Sequence, residues 1–191
     1  KHTVLATGAV QRSYRTFKNK SKKALAKAME NIAASIDSKA TLRSYRFENL
    51  TSVLDPLKLE LVYDVPDAAI RGGDGLMVFR IPGLELPDGS LVAKSDRENL
   101  MYFFRRKRIE VDFDCTIPSG FEVYHAPECL VVKDDLVDCT AGYEITGRGV
   151  RLRFRYDRLC IEVEPSDYRR LRKDLLRICE YLKRPVVIER R

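Results

Sequence analysis

The 191-residue chain has no tryptophan and only two histidines. No apolar run approaches the roughly 20 residues that a membrane-spanning helix needs, which excludes a helical membrane span. Its five cysteines, Cys115, Cys129, Cys139, Cys160 and Cys179, contain no Cys-x-x-Cys pair. With so few histidines to join them, a zinc site of the usual spacing is missing, and nothing calls for a cofactor. Arg71-Gly72-Gly73-Asp74-Gly75 is glycine-rich, but no Gly-Lys-Ser/Thr follows and no helix opens after it. It reads as a turn rather than a phosphate loop. The chain shows no signal-peptide pattern, no fixed-period repeat and no Pro/Gly/Ser-rich linker, so residues 1–191 read as one folded unit. Acidic residues are absent from Lys1–Met29, which carries eight bases, while the remainder holds 27 bases against 28 acids. The net charge of +7 therefore sits at one end, and the overall balance gives weak support for nucleic-acid binding.

What is present is an ordinary globular mixture, 45% apolar and 33% charged. His2–Phe17 reads as an extended segment. From Ser21, a capping residue, Leu25, Ala28, Met29, Ile32 and Ile36 recur at helical intervals. Leu57, Leu59, Leu61, Tyr63 and Val65 alternate with Lys58, Glu60, Val62 and Asp64, as in a half-buried strand. Pro82–Lys94 reads as a loop. In Ile109–Ile117 the apolar residues point one way, and Glu110, Asp112 and Asp114 the other. In Gly149–Tyr156 the outward positions are Arg151, Arg153 and Arg155. Opposite charges at matching period predict antiparallel neighbours with Glu110 facing Arg155, Asp112 facing Arg153 and Asp114 facing Arg151. Cys129–Val132 and Leu136–Cys139 read as a hairpin about Lys133-Asp134-Asp135, which would set Cys129 opposite Cys139 and allow a disulfide. Pro165-Ser166-Asp167 starts a second amphipathic helix, stopped at Arg184-Pro185, and Val186-Val187-Ile188 can add a last strand. The expected fold is α+β: mostly antiparallel, sandwich-like sheets with one amphipathic helix near each end.

Candidate chemistry is sparse. Cys115, His125 and Asp134 occur in the order of a Cys-His-Asp nucleophile site, yet Cys115 falls mid-strand on the apolar face, where burial suppresses the thiolate. Asp134-Asp135 suits a turn, and Glu162 and Glu164 suit a helix start. The best basic-aromatic cluster is Arg105-Arg106-Lys107-Arg108 after Tyr102-Phe103-Phe104. Phosphate binding by such a run is physically cheap, but the run leads straight into the acidic face of Glu110, Asp112 and Asp114. Together with Lys18–Lys27, it marks where an anionic partner could bind, although the neighbouring acids make nucleic acid an unfavourable one.

Ile109-Glu110-Val111, then Thr116-Ile117-Pro118-Ser119-Gly120-Phe121-Glu122-Val123, resembles the C-terminal domain of unknown function of bacterial transglutaminase-like proteins, members of the papain-like superfamily. Glu48-Asn49-Leu50 with Asp55-Pro56-Leu57-Lys58-Leu59, Ala126-Pro127-Glu128, Ala141-Gly142-Tyr143-Glu144 and Val163–Arg172 fit the same pattern. The sequence departs from it at Arg97–Arg108, where the family places an arginine followed shortly by proline. The resemblance implies that this chain is the C-terminal part of a larger protein and is itself non-catalytic. The Cys-His-Asp machinery would lie in a separate N-terminal domain, and the basic N-terminal segment would be the exit from it. It further implies an accessory role through contacts with a protein partner or the enzyme's own catalytic domain, and a periplasmic or other extracytoplasmic location.

Overall fold

The computed structural model describes residues 1–6, 9–73, 75–81, 88–147 and 149–191. In chain order the elements are β1 (His2–Ala6), α1 (Ala9–Arg15), α2 (Lys22–Ile36), β2 (Thr41–Glu48), β3 (Leu57–Asp64), β4 (Ala69–Gly73) and β5 (Leu76–Phe79). They continue with β6 (Met101–Tyr102), β7 (Lys107–Thr116), β8 (Phe121–His125), β9 (Leu130–Lys133), β10 (Val137–Thr146) and β11 (Gly149–Arg158). β12 (Glu162–Val163), α3 (Pro165–Leu182) and β13 (Val186–Arg190) complete the chain.

Seven strands form one antiparallel sheet in the order β2-β3-β1-β7-β11-β10-β9. A second sheet has the order β4-β5-β13-β8, and β6 pairs with β12 in a short ribbon. The inner face of the large sheet is covered in two places. Against β1 and β3, α2 brings Met29 onto Ala6, Leu57, Leu59 and Leu61. Against β7, β11, β10 and β9, α3 brings Tyr168, Leu171, Leu175 and Ile178 onto Phe113, Leu152, Phe154, Val132 and Cys139. Each buried Leu, Ile, Val, Phe or Met among them contributes about 1.5–3 kcal/mol. The four-stranded sheet closes a third cluster, Phe79, Val186 and Ile188, over Val150 and Cys115. Local signals place both long helices. The Ser21 hydroxyl accepts from the Ala24 amide at 3.3 Å, and Pro165 occupies the first turn of α3. The expected α+β arrangement of antiparallel sheets with a helix near each end is the observed one.

The β7–β11 register matches the alternation of charges: Asp112 faces Arg153, Glu110 faces Arg155 and Asp114 faces Arg151. Of these three facing pairs only one closes as an ion pair, although Arg108 also meets Asp157 directly across the same two strands. Arg151 Nε lies 2.5 Å from Asp114 Oδ1, whereas Arg153 turns to Glu144 at 3.2 Å and Arg155 to Asp157 at 2.8 Å. The sequence reading missed these partners because Glu144 lies on β10, beyond β11, and Asp157 sits two residues along the arginines' own strand.

Two expectations are corrected. His2–Phe17 is not one extended segment: only β1 is, and α1 and a 3₁₀ turn at Thr16–Asn19 follow. Arg15 explains the difference, because its guanidinium donates to the carbonyls of Asn49, Leu50 and Asp55, tying α1 to a loop about 35–40 residues away. The β9–β10 turn also runs over Asp134–Val137, about one and a half residues beyond the expected centre, which shifts the strand pairing by three residues. The Asp134 amide donates to Val137 O, and Asp134 Oδ1 accepts from the amides of Leu136 and Val137. Cys139 therefore faces Val132, Cys129 packs beside Gly142, and both thiols are free. Residues 82–87 of the expected Pro82–Lys94 loop, and Asp74 of the glycine-rich turn, lie outside the described residues.

His2 sits between Leu61 and Phe113 in the middle of the large sheet, with both ring nitrogens buried and unbonded. Burial, with the terminal ammonium second, lowers its pKa from 6.5 to about 4. Between these values the unfolded chain takes up a proton that the folded chain refuses, so stability present at neutral pH is lost as pH falls through this window. Urea unfolding at pH 7 and pH 5 is expected to show a loss of about 2 kcal/mol, largely removed in His2→Phe. An equal loss in both proteins would refute this account.

Candidate interaction site

The basic run Arg105–Arg108 links β6 to β7, and the structure divides it in two. Lys107 Nζ is 3.1 Å from Asp88 Oδ1, and Arg108 Nε is 2.5 Å from Asp157 Oδ1. Arg105 and Arg106 are exposed and have no ion-pair partner among the described residues. These two exposed guanidiniums follow directly on Tyr102 and Phe104, whose rings meet edge to face with centroids 6.0 Å apart.

This segment rests on a buried polar cluster. Asp88 and Arg158 are 3% and 6% exposed, too little for water to solvate either charge. Asp88 Oδ2 accepts from Arg158 Nη1 and from the Tyr156 hydroxyl, each at 2.8 Å. Burial, followed by the Asp88 charge, pushes the Tyr156 phenol up, so it remains a neutral donor. Arg158 Nη2 donates to Arg105 O at 2.6 Å, and the guanidinium lies 3.6 Å from the centroid of the Phe103 ring. One buried cation thus fixes both the backbone of the basic run and the ring that anchors β6. Sequence reasoning missed Asp88 and Arg158 because each looks like an ordinary turn or strand-end residue. Their partners lie 68 to 70 residues away along the chain.

The other candidates do not assemble. Cys115 faces Val150 at one end of β11, while Asp134 bonds to Val137, which faces Arg158 at the other end. Eight residues at about 3.3 Å each separate the two levels by roughly 26 Å. His125 pairs with Val187 in the other sheet. Burial raises the Cys115 thiol pKa, which opposes formation of a nucleophilic thiolate, and pushes the Cys139 thiol up to about 12. Asp135 and Asp134 both face Arg170. The acid that does interact with Asp134 is Asp174 on α3, its pKa raised by burial first and by the Asp134 carboxylate second. Lys18, Lys20, Lys22, Lys23 and Lys27 are exposed, with Lys27 paired to Glu30 at 3.3 Å. On the open face of the large sheet, Thr3, Leu5, Lys58, Glu110, Thr140 and Arg155 border a shallow concavity of about 450 Å³. Among the described residues, no group of three or more His, Cys, Asp or Glu is placed to hold a metal.

The fold is similar to part of one solved structure, a putative protease from Parabacteroides distasonis, with a TM-score of 0.53 and 17% identity. The match covers 61% of this chain and 24% of that one, so the likeness is to about a quarter of a longer protein. No family model matches the chain, and no curated protein matches it. No described helix is long and apolar enough to cross a membrane.

The polar cluster gives a direct test of what holds the site. Asp88→Asn is expected to cost about 3–5 kcal/mol in urea unfolding, because it leaves Arg158 buried without its anion. Asp88→Asn combined with Arg158→Met should cost far less than the sum of the single changes. Additive losses would show that the two groups do not interact as described.

Proposed function

We propose that the chain is a non-catalytic accessory domain of a longer transglutaminase-like or cysteine-peptidase-like bacterial protein, acting through contacts with a protein partner or with that protein's own catalytic domain. The observation that carries this reading is the structural likeness to a quarter of a larger chain, described as a putative protease. The sequence resemblance across the turns Pro118-Ser119-Gly120 and Ala126-Pro127-Glu128 points the same way. The inert setting of Cys115 adds support, since its thiol is raised by burial and separated from Asp134 by most of a strand. The family resemblance further assigns the domain an extracytoplasmic location. A second reading, an independent module for an anionic partner, draws on the exposed cations Lys18–Lys27 and on Arg105 and Arg106, which have no ion-pair partner among the described residues.

Two measurements test the first reading. Alkylation of the folded chain at neutral pH should modify the exposed Cys129 first and leave Cys115 and Cys139 unmodified until denaturant is added. Rapid modification of Cys115 would overturn the non-catalytic assignment. The coding sequence upstream of Lys1 should encode a segment with a Cys, a His and an Asp in that order. A gene with no such segment would overturn the accessory role.

A further inference from the structure

We propose that the outward face of the β6–β12 ribbon is a docking strip for an acidic polypeptide segment that carries apolar anchors. The proposal rests on the reading of this chain as an interaction domain and names the surface and the chemistry of its partner. Along residues 100–104 the side chains alternate sharply. Met101 and Phe103 are buried, whereas Leu100, Tyr102 and Phe104 are 47%, 59% and 94% exposed. Three large apolar side chains in a row on one outward face form the kind of patch that soluble surfaces ordinarily cover. Arg105 and Arg106 extend the row with two guanidiniums that have no ion-pair partner among the described residues, in contrast to Lys107 and Arg108 beside them.

The strip is held in place before anything binds. The Phe103 amide donates to Ile161 O at 2.7 Å, and Arg158 binds the Arg105 carbonyl from beneath. Little ordering remains for a partner to impose, which favours affinity. Tyrosine and arginine beside one another are the residue types that dominate interface energies, and each guanidinium can take a carboxylate through two parallel hydrogen bonds. Across the ribbon, Glu162 faces Tyr102. The face is therefore basic at the Arg105 end and acidic on the β12 side, so a partner must place its carboxylates at the Arg105 end.

The same charges disfavour a nucleic acid. Two cations without an ion-pair partner among the described residues neutralise few phosphates, too few to hold an extended phosphate backbone.

The test uses fluorescence anisotropy with three labelled probes: the peptide Ac-Asp-Glu-Leu-Phe-Leu-NH2, its charge-inverted form Ac-Lys-Lys-Leu-Phe-Leu-NH2, and oligo-dT. The acidic peptide is expected to bind at least about tenfold tighter than the basic one. Phe104→Ala, and Arg105→Glu with Arg106→Glu, should each weaken it at least about fivefold while leaving the thermal midpoint unchanged, because these side chains are exposed. Equal binding of the two peptides, tighter binding of oligo-dT, or indifference to the substitutions would overturn the proposal. Loss of the strip while the upstream gene encodes the Cys, His and Asp segment would leave the accessory role standing. Binding of the acidic peptide without that segment would remove the accessory role and keep the strip.

Discussion

The pairing of β7 with β11 in a single register is the constraint on which the remaining architecture depends. These two ten-residue strands lie at the centre of the seven-stranded sheet, and each carries apolar side chains on one face and charges on the other. A slip of one residue would drive Arg151, Arg153 and Arg155 into the layer occupied by Leu171, Leu175 and Ile178. Burying three guanidiniums against apolar side chains costs far more than any ion pair on the outer face returns. The apolar face therefore sets the register. The outer ion pairs, at roughly 0.2–1 kcal/mol each, reinforce it. This ranking explains why only Arg151 meets its directly opposed acid while Arg153 and Arg155 turn elsewhere without disturbing the strand alignment.

The same strand holds the surface proposed for docking. Past Arg155, β11 ends in Tyr156, Asp157 and Arg158, which bond respectively to Asp88, to Arg108 at the start of β7 and to the Arg105 carbonyl just before it. Tyr156 and Arg158 converge on Asp88, Asp157 takes Arg108, and Arg158 grips the Arg105 carbonyl and the Phe103 ring. The buried cluster neutralises itself through Asp88 and at the same time leaves Arg105 and Arg106 outside it. Structure and surface are thus linked: the acids that fix the basic run consume Lys107 and Arg108 and leave a short, polarised strip rather than a broad basic field.

Much of this was legible in the sequence where a pattern is local and repeated. Period-two acids in one strand and period-two arginines in another revealed both strands and their pairing, and three- and four-residue apolar spacing revealed α2 and α3. The α1 helix was not legible because seven residues carry little periodicity and its anchor, Arg15, binds carbonyls far along the chain. The β9–β10 register was not legible because the Asp134 side chain captures two amides and draws Leu136 into the turn, so apparent symmetry about Lys133-Asp134-Asp135 misplaced Cys129. The aromatic–basic segment was visible as a cluster, but its division into engaged and free cations was not. That division depends on Asp88 and Asp157, which reach it only through the folded sheet.

The account stands most directly on the alignment of β7 against β11, which nuclear Overhauser contacts between the two strands measure. The predicted result is a set of cross-strand contacts linking Asp112 with Arg153 and Phe113 with Leu152. Contacts linking Asp112 instead with Leu152 or Phe154, the mark of a one-residue slip, would contradict it.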